Sequence, residues 1–260
     1  MSAPLCLVRA VPASFSAALC TDNVELNVAM ARRQHAGYVA ALKASGCQVL
    51  EVPADDAFPD CCFIEDTAVV LGETAVLTRP GAASRQGEVD GVAEVLGKHR
   101  ELVRMRAPAA LDGGDVLRIG MHLFIGISER TNKDGALFLA AAARREGIES
   151  TLLDVPEGLH LKSFVTLAAT GTLVHDERLE VEAFEAAGFR CLVAPEPVGA
   201  NVLAVGVSVL VSEDAVRTAD MLEQRVGLRV RRVHVSEFHK ADGALTCLSL
   251  RLAGPGGWAT

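Results

Sequence analysis

The strongest constraint on the fold of this chain is a recurrence: a short apolar run ends in a polar turn and leads into a stretch of helical spacing. "TAVLTRP" leads through "GAASRQGE" to "VDGVAEVLGKH", "HLFIGIS" through "ERTNKDG" to "ALFLAAAARREG", and "GTLVHD" to "RLEVEAFEAAGF". "VSVLVSE" precedes "DAVRTADMLEQRVG", and near the start "LCLVRAV" precedes "NVAMARRQHAGYVAALKASG". The apolar runs read as strands, while Val89, Val92, Val95 and Leu96 show the i, i+3, i+4 spacing of a helix with one buried face. About five strand-then-helix units of roughly 50 residues result, a period that suggests a repeated supersecondary unit or a propeller. An α/β doubly wound parallel sheet also alternates strands with helices, and periodicity alone favours it. No Pro- or Ser-rich linker divides the chain, so residues 1–260 are expected to form a single domain.

With 260 residues, 50% hydrophobic and 22% charged, the chain has the composition of an ordinary globular protein with a sizeable core. Apolar runs such as "NVLAVGVSVLVS" fall short of the ~20 residues that span a bilayer, so no membrane segment is expected. The start, "MSAPLCLVRAVPASF", places Arg9 where a secretory signal needs an apolar core, which points to the cytoplasm. Cys6, Cys20, Cys47, Cys61, Cys62, Cys191 and Cys247 are scattered, odd in number and without a CxxC pair. That pattern indicates reduced thiols and neither a disulfide framework nor a zinc knuckle. A net charge of -8 without a basic cluster argues against nucleic acid and suits a small cationic substrate.

Four polar segments stand out. "FPDCCFIEDTAVV" gathers Asp60, Glu65 and Asp66 around an apolar run; Glu65 and Asp66 fall on opposite faces if the segment is a strand. Such carboxylates repel one another unless a cation neutralises them, although capping or surface acids are the commoner origin of such a pair. In "LDGGDVLRIG", Gly113 and Gly114 allow a sharp turn between Asp112 and Asp115, and no phosphate-loop pattern surrounds them. In "GLHLKSF", strand alternation would aim His160 away from Leu159 and Leu161, and histidine is the side chain suited to moving protons near neutrality. Finally, "KADGALTCLSLRL" places Cys247 inside an apolar strand after the turn at Gly243, either as small core filling or as a nucleophile.

Taken in order, "RQHAGYVAAL", "VPADDAFPDCCFIEDTAVV", "TRPGAASRQGEVD", "LDGGDVL", "GISERTN", "GLHLKSF", "GAN" and "DGALTC" resemble the dimethylarginine dimethylaminohydrolases. These belong to the guanidine-modifying superfamily that also holds arginine deiminases and amidinotransferases. The matching segments cover nearly the whole chain. The resemblance implies a five-fold pseudosymmetric α/β propeller of the pentein type, with the active site at its centre, in place of the doubly wound sheet. It assigns Cys247 as nucleophile, His160 as general acid/base and Asp112 as the acid behind the histidine, a position where some relatives carry Glu. It places Asp60, Glu65 and Asp66 on the substrate, with Asp66 at the guanidinium. Arg85 and Arg130 fall on positions that grip the amino-acid carboxylate. Leu19 and the backbone of Ala241 line the site, and Ala241 departs from the larger aliphatic residue common in relatives.

The implied reaction hydrolyses N-omega-methylated arginines to citrulline and dimethylamine or methylamine through a covalent thiouronium on Cys247. A delocalised guanidinium is a poor electrophile, so it must be bound as a cation and met by a thiolate, favoured either by His160 or by the substrate's own charge. No metal or organic cofactor is required. The expected partner is the small-molecule substrate, with a homodimer left open, and with neither nucleic acid nor membrane. Two alternatives remain: an arginine deiminase-like hydrolase, disfavoured because those enzymes usually carry an extra helical insertion, and a catalytically silent binder of cationic amino acids.

Overall fold

The computed structural model describes residues 3–22, 24–156 and 158–252; the ends of the expected 1–260 domain lie outside the described residues. In chain order the elements are β1 (Leu5–Arg9), α1 (Val28–Ala44), β2 (Gln48–Val52), β3 (Ala68–Val70), β4 (Thr74–Leu77), α2 (Glu88–Leu96) and β5 (Glu101–Arg104). They continue with β6 (Val116–Ile119), β7 (His122–Ile127), α3 (Lys133–Arg145), β8 (Glu149–Asp154), β9 (Val165–Ala169), β10 (Thr172–His175), α4 (Glu182–Ala186) and β11 (Arg190–Val193). The last are β12 (Leu203–Val205), β13 (Ser208–Ser212), α5 (Val216–Met221), β14 (Val230–Val233), α6 (Ser236–Lys240) and β15 (Leu250–Leu252).

The strand-then-helix units expected from the sequence correspond to β1–α1, β4–α2, β7–α3, β10–α4 and β13–α5. The helices are ended by local chemistry. Asn27 caps α1 by accepting from the Met30 N–H, and Asn132 caps α3 by accepting from the Gly135 N–H. In α3, Ala136, Leu139 and Ala143 form the buried stripe that packs with Leu123 and Ile125 of β7.

The strands do not join into one sheet. They form five three-stranded sheets, β15-β1-β2, β3-β4-β5, β6-β7-β8, β9-β10-β11 and β12-β13-β14. In each, the middle strand pairs antiparallel with one neighbour and parallel, across a helical crossover, with the other. This replaces the doubly wound sheet that periodicity favours, for a physical reason. In four of the five sheets the strand before the middle strand is its hairpin partner, as at Gly120 (φ 58) and Gly171 (φ 71), where only glycine turns without strain. The strand after the helix is half exposed, as β5 and β11 are, so it ends the sheet at solvent. The architecture is a pentein-type α/β propeller of five pseudosymmetric blades. Its first blade is completed by the last strand, with Leu5 opposite Leu252 and Leu7 opposite Leu250.

A 3-10 turn precedes the first strand of every blade: Ile64–Thr67, Gly113–Asp115, Leu161–Ser163, Pro197–Ala200 and Thr246–Leu248. Side chains of one turn satisfy the backbone of another. Asp66 accepts from the Gly114 N–H (2.8 Å), and Asp115 accepts from the Leu161 N–H (2.9 Å). Buried backbone groups need partners, and here the ring of turns supplies its own. The glycine pair of "LDGGD" belongs to this packing. A Cβ on Gly113 would lie 2.0 Å from the Glu65 carbonyl oxygen, and one on Gly114 would lie 2.7 Å from the His160 ring.

Candidate active site

Four of the five turns bring the chemistry-bearing side chains together. Asp112 stands just ahead of the turn Gly113–Asp115, fully buried; one carboxylate oxygen accepts from the Gly81 N–H at 2.8 Å and the other lies 3.0 Å from His160 Nε2. His160 is the extended residue before Leu161–Ser163, so its alternation with its neighbours lasts one residue and not a strand. Asp115 fixes that turn: it accepts from Leu161 N–H and from the hydroxyls of Ser128 and Thr131, both at 2.6 Å.

Glu65 and Asp66 do not alternate across a strand. They are successive residues of a 3-10 turn, so their side chains diverge by about 120°. Asp66 turns towards His160 (4.0 Å from Nε2) and accepts from Arg85 Nη1 at 2.7 Å. Glu65 turns the other way and pairs with the Lys162 ammonium; together they line a second cavity on the far side of the turns, and the other carboxylate oxygen of Glu65 has no protein partner. Glu65, expected to hold substrate, therefore stands outside the cavity that Cys247 faces.

Arg85 is also committed to the protein. Its Nε and Nη2 form a two-pronged pair with Glu88 (3.0 and 2.9 Å), Nη2 also donates to the Phe63 carbonyl, and Nη1 holds Asp66. One Nη1 hydrogen remains for a ligand, so the expected grip on a substrate carboxylate is at most a single bond from this residue. Arg130 differs: it lines the cavity with its guanidinium unpaired among the described residues.

Cys247 is the middle residue of the turn Thr246–Leu248 and not part of the strand that follows. Leu245 and Leu248, both fully buried, lie three apart and share the core side of that turn, which leaves the half-buried thiol to the cavity. The segment before it is clamped. Asp242 holds the left-handed φ of 55 that side chains other than glycine rarely adopt, and its carboxylate accepts from the N–H and hydroxyl of Thr21 (2.6 and 2.9 Å). Gly243 lets the chain lie against Phe63, whose ring would be 2.1 Å from a Cβ there.

The cavity is lined by Leu19, Asp60, Asp66, Arg85, Arg130, His160, Ala241 and Cys247, with Phe63, Leu159, Asp242 and Gly243. Asp60 accepts from the Leu19 N–H at 3.1 Å, and Leu19 leaves a 41% exposed side chain at the rim. Nine of the ten residues expected at the site from the sequence thus line the cavity or, for Asp112, brace the histidine within it; Glu65 is the exception.

No family model matches the chain. It is, however, 39% identical to the N(G),N(G)-dimethylarginine dimethylaminohydrolase of Streptomyces coelicolor over 235 residues, 89% of each chain. The chain belongs to the dimethylarginine dimethylaminohydrolase family. The enzyme of the same name from Pseudomonas aeruginosa is 32% identical over 226 residues, 86% of this chain and 89% of that one. A solved structure of a Pseudomonas aeruginosa member, a cysteine-to-serine variant complexed with citrulline, superposes with a TM-score of 0.91 at 29% identity, covering 96% of this chain and all of that one.

Ionisation in this family member follows from the packing. Burial disfavours the His160 imidazolium, yet Asp66, the hydrogen bond to Asp112 and the Asp115 charge outweigh it and push its pKa up to about 9. Burial likewise disfavours ionised Asp66, but His160 and Arg85 hold its carboxyl down at about 2. The Cys247 thiol is pushed up to about 12 by burial first, then by Glu65 and Asp66. At neutral pH the unliganded site therefore pairs a protonated imidazole with a protonated thiol.

Asp66, Asp112 and His160 offer ligand atoms within 4.8 Å of one another, close enough to hold a metal. Each of their oxygens already has a partner in Arg85, Gly114, Gly81 or the imidazole, and a protonated histidine is the cation this cluster suits. Sequence reasoning missed Glu88, Asp115, Lys162 and Asn201, which organise the site without lining the cavity beside Cys247. All four lie inside quoted segments, "TRPGAASRQGEVD", "LDGGDVL", "GLHLKSF" and "GAN", which is the only sequence signal they carry.

Proposed function

We propose that this chain, acting as one catalytic domain, hydrolyses N-omega-methylated arginines to citrulline and the methylated amine. The observation that carries the proposal is the single cavity faced by Cys247, His160 and Asp66, with the unpaired Arg130 on its wall. A guanidinium lodged between Asp60 and Asp66 replaces lost hydration with carboxylates. Its positive charge next to Cys247 offsets the desolvation and repulsion that hold the thiol near 12, so the thiol loses its proton to solvent as the substrate binds.

The thiolate then bonds to the guanidinium carbon. As the carbon–nitrogen bond to dimethylamine breaks, the departing nitrogen takes the proton of His160, whose Nε2 stays on Asp112 and whose Nδ1 is the nitrogen left to transfer it. A thiouronium remains on sulfur. Neutral His160 takes one proton from water as its oxygen attacks the same carbon; the carbon–sulfur bond then breaks and the remaining hydroxyl proton passes to solvent, giving citrulline and thiolate beside a reprotonated His160. Arg130 binds the amino-acid carboxylate, with the spare Arg85 hydrogen assisting, while Leu19 and the Ala241 main chain bound the cavity.

Support for a reducing, cytoplasmic setting comes from seven free cysteines, among them the buried Cys6 and Cys47. Among the described residues no helix is long and apolar enough to cross a membrane. The deciding experiment measures citrulline from asymmetric dimethylarginine and from arginine. Faster turnover of arginine overturns the substrate assignment, and binding of dimethylarginine without turnover makes the chain a silent binder.

A further inference from the structure

The nucleophile stands on the turn Thr246–Leu248 and the acid/base just ahead of the turn Leu161–Ser163, and no described backbone hydrogen bond joins the two segments. One side chain does. Asn201 follows the turn Pro197–Ala200 and is buried, 6% exposed. Its Nδ2 donates to the Lys162 carbonyl at 2.9 Å, two residues from His160, and to the Thr246 hydroxyl at 3.0 Å. Its Oδ1 accepts from the Thr246 N–H at 3.1 Å, one residue from Cys247. The amide can sit only this way round: flipped, it would set oxygen against the Lys162 carbonyl and NH2 against the Thr246 N–H. Its own backbone is pinned on both sides by Thr166, whose hydroxyl donates to the Ala200 carbonyl (2.7 Å) and accepts from the Val202 N–H (2.9 Å). Among the described residues, every hydrogen bond linking the His160 turn with the Cys247 turn passes through this amide.

We infer that Asn201 is a positioning residue, which holds the Cys247 turn in register with the His160 turn so that sulfur and imidazole meet one substrate carbon. The inference rests on the hydrolase reading for its catalytic part and on geometry alone for the register. Attack geometry is steep in distance, and a displacement of about 1 Å costs on the order of 100-fold in rate. Substrate grip comes from Asp60, Asp66 and Arg130, none of which touches Asn201, so the loss belongs to kcat and not to KM.

The test compares wild type with Asn201→Ala and Asn201→Asp. The Asp variant keeps the acceptor for Thr246 N–H and loses the donor to the Lys162 carbonyl, and it serves if the Ala variant does not fold. Live sites are counted by intact mass after alkylation with 2-chloroacetamidine, so that kcat is expressed per reactive Cys247. The expected result for Asn201→Ala is a kcat per live site about 10- to 100-fold lower with KM within about threefold, and a smaller loss of the same kind for Asn201→Asp. Hydrogen exchange supplies a readout independent of turnover: the Thr246 amide should lose protection in Asn201→Ala and keep it in Asn201→Asp. Wild-type kcat per live site, or unchanged Thr246 exchange in the Ala variant, overturns the inference. A wild type that fails to turn over dimethylarginine overturns the function instead, and the exchange result still decides the register.

Discussion

At the scale of single residues, the site works through a reversed pair of ionisations: an imidazole that keeps its proton to about 9 beside a thiol that keeps its own to about 12. The reactive form, thiolate with imidazolium, is then a minor species of the free enzyme whose share rises until His160 begins to titrate. The kcat/KM for dimethylarginine should therefore climb about tenfold per pH unit and level off near 9, and a bell centred near 7 would contradict this assignment. Asp112→Asn removes a carboxylate that holds the imidazolium, so the plateau should begin at lower pH, with a reduced rate. Cys247→Ser should abolish citrulline formation, measured against the same substrate. Which residue types do chemistry was legible in the sequence, because Cys, His and Asp announce themselves in polar segments. Lys162 and Asn201 were not: a lysine beside a histidine and an asparagine after Gly-Ala have no meaning until the turns close on one another. The direction of Glu65 was hidden for a related reason, since the four residues Ile64–Thr67 can be read as a 3-10 turn or as strand and the two aim the successive acids differently.

At the scale of elements, the five middle strands were legible because they are buried on both faces and so read as unbroken apolar runs, as in β10 and β13. Their outer partners were not, because half-exposed strands such as β5 lose that contrast, and β3, β12 and β15 are only three residues long. The five short turns were illegible as elements, although they carry the site. The two glycines of one turn give a clean contrast. Gly113→Ala drives a methyl into the backbone carbonyl of Glu65, which cannot yield without moving the neighbouring turn. It should destabilise the fold by about 3 kcal/mol or more, read from urea midpoints. Gly114→Ala instead meets the His160 ring, a side chain able to swing. It should keep more of its stability and lose at least tenfold in kcat, so the two variants separate folding from histidine placement.

At the scale of the whole molecule, the alternation of strand and helix fits an open sheet and a propeller alike. What distinguishes them is which strand pairs with β1, and the answer lies at the other end of the described chain. Stability carries the imprint of the buried histidine. Its pKa is near 6.5 unfolded and about 9 folded, so the folded state holds the proton more tightly. That contribution is fully present below pH 6.5 and is lost as pH rises through 9, amounting to about 3 kcal/mol. Urea midpoints should fall over this window in wild type and change much less in His160→Asn.

The pairing of β15 with β1 also has a consequence in time. The turn Thr246–Leu248 leads directly into β15, so the strand that completes the first blade is the one that delivers the thiol to the histidine. In order of synthesis, every other residue that lines the cavity precedes this turn. A chain stopped before Thr246 therefore carries the acids, the arginines and the histidine but neither the reactive sulfur nor the strand that pairs with β1, so the molecule arms itself with the same segment that completes its first blade.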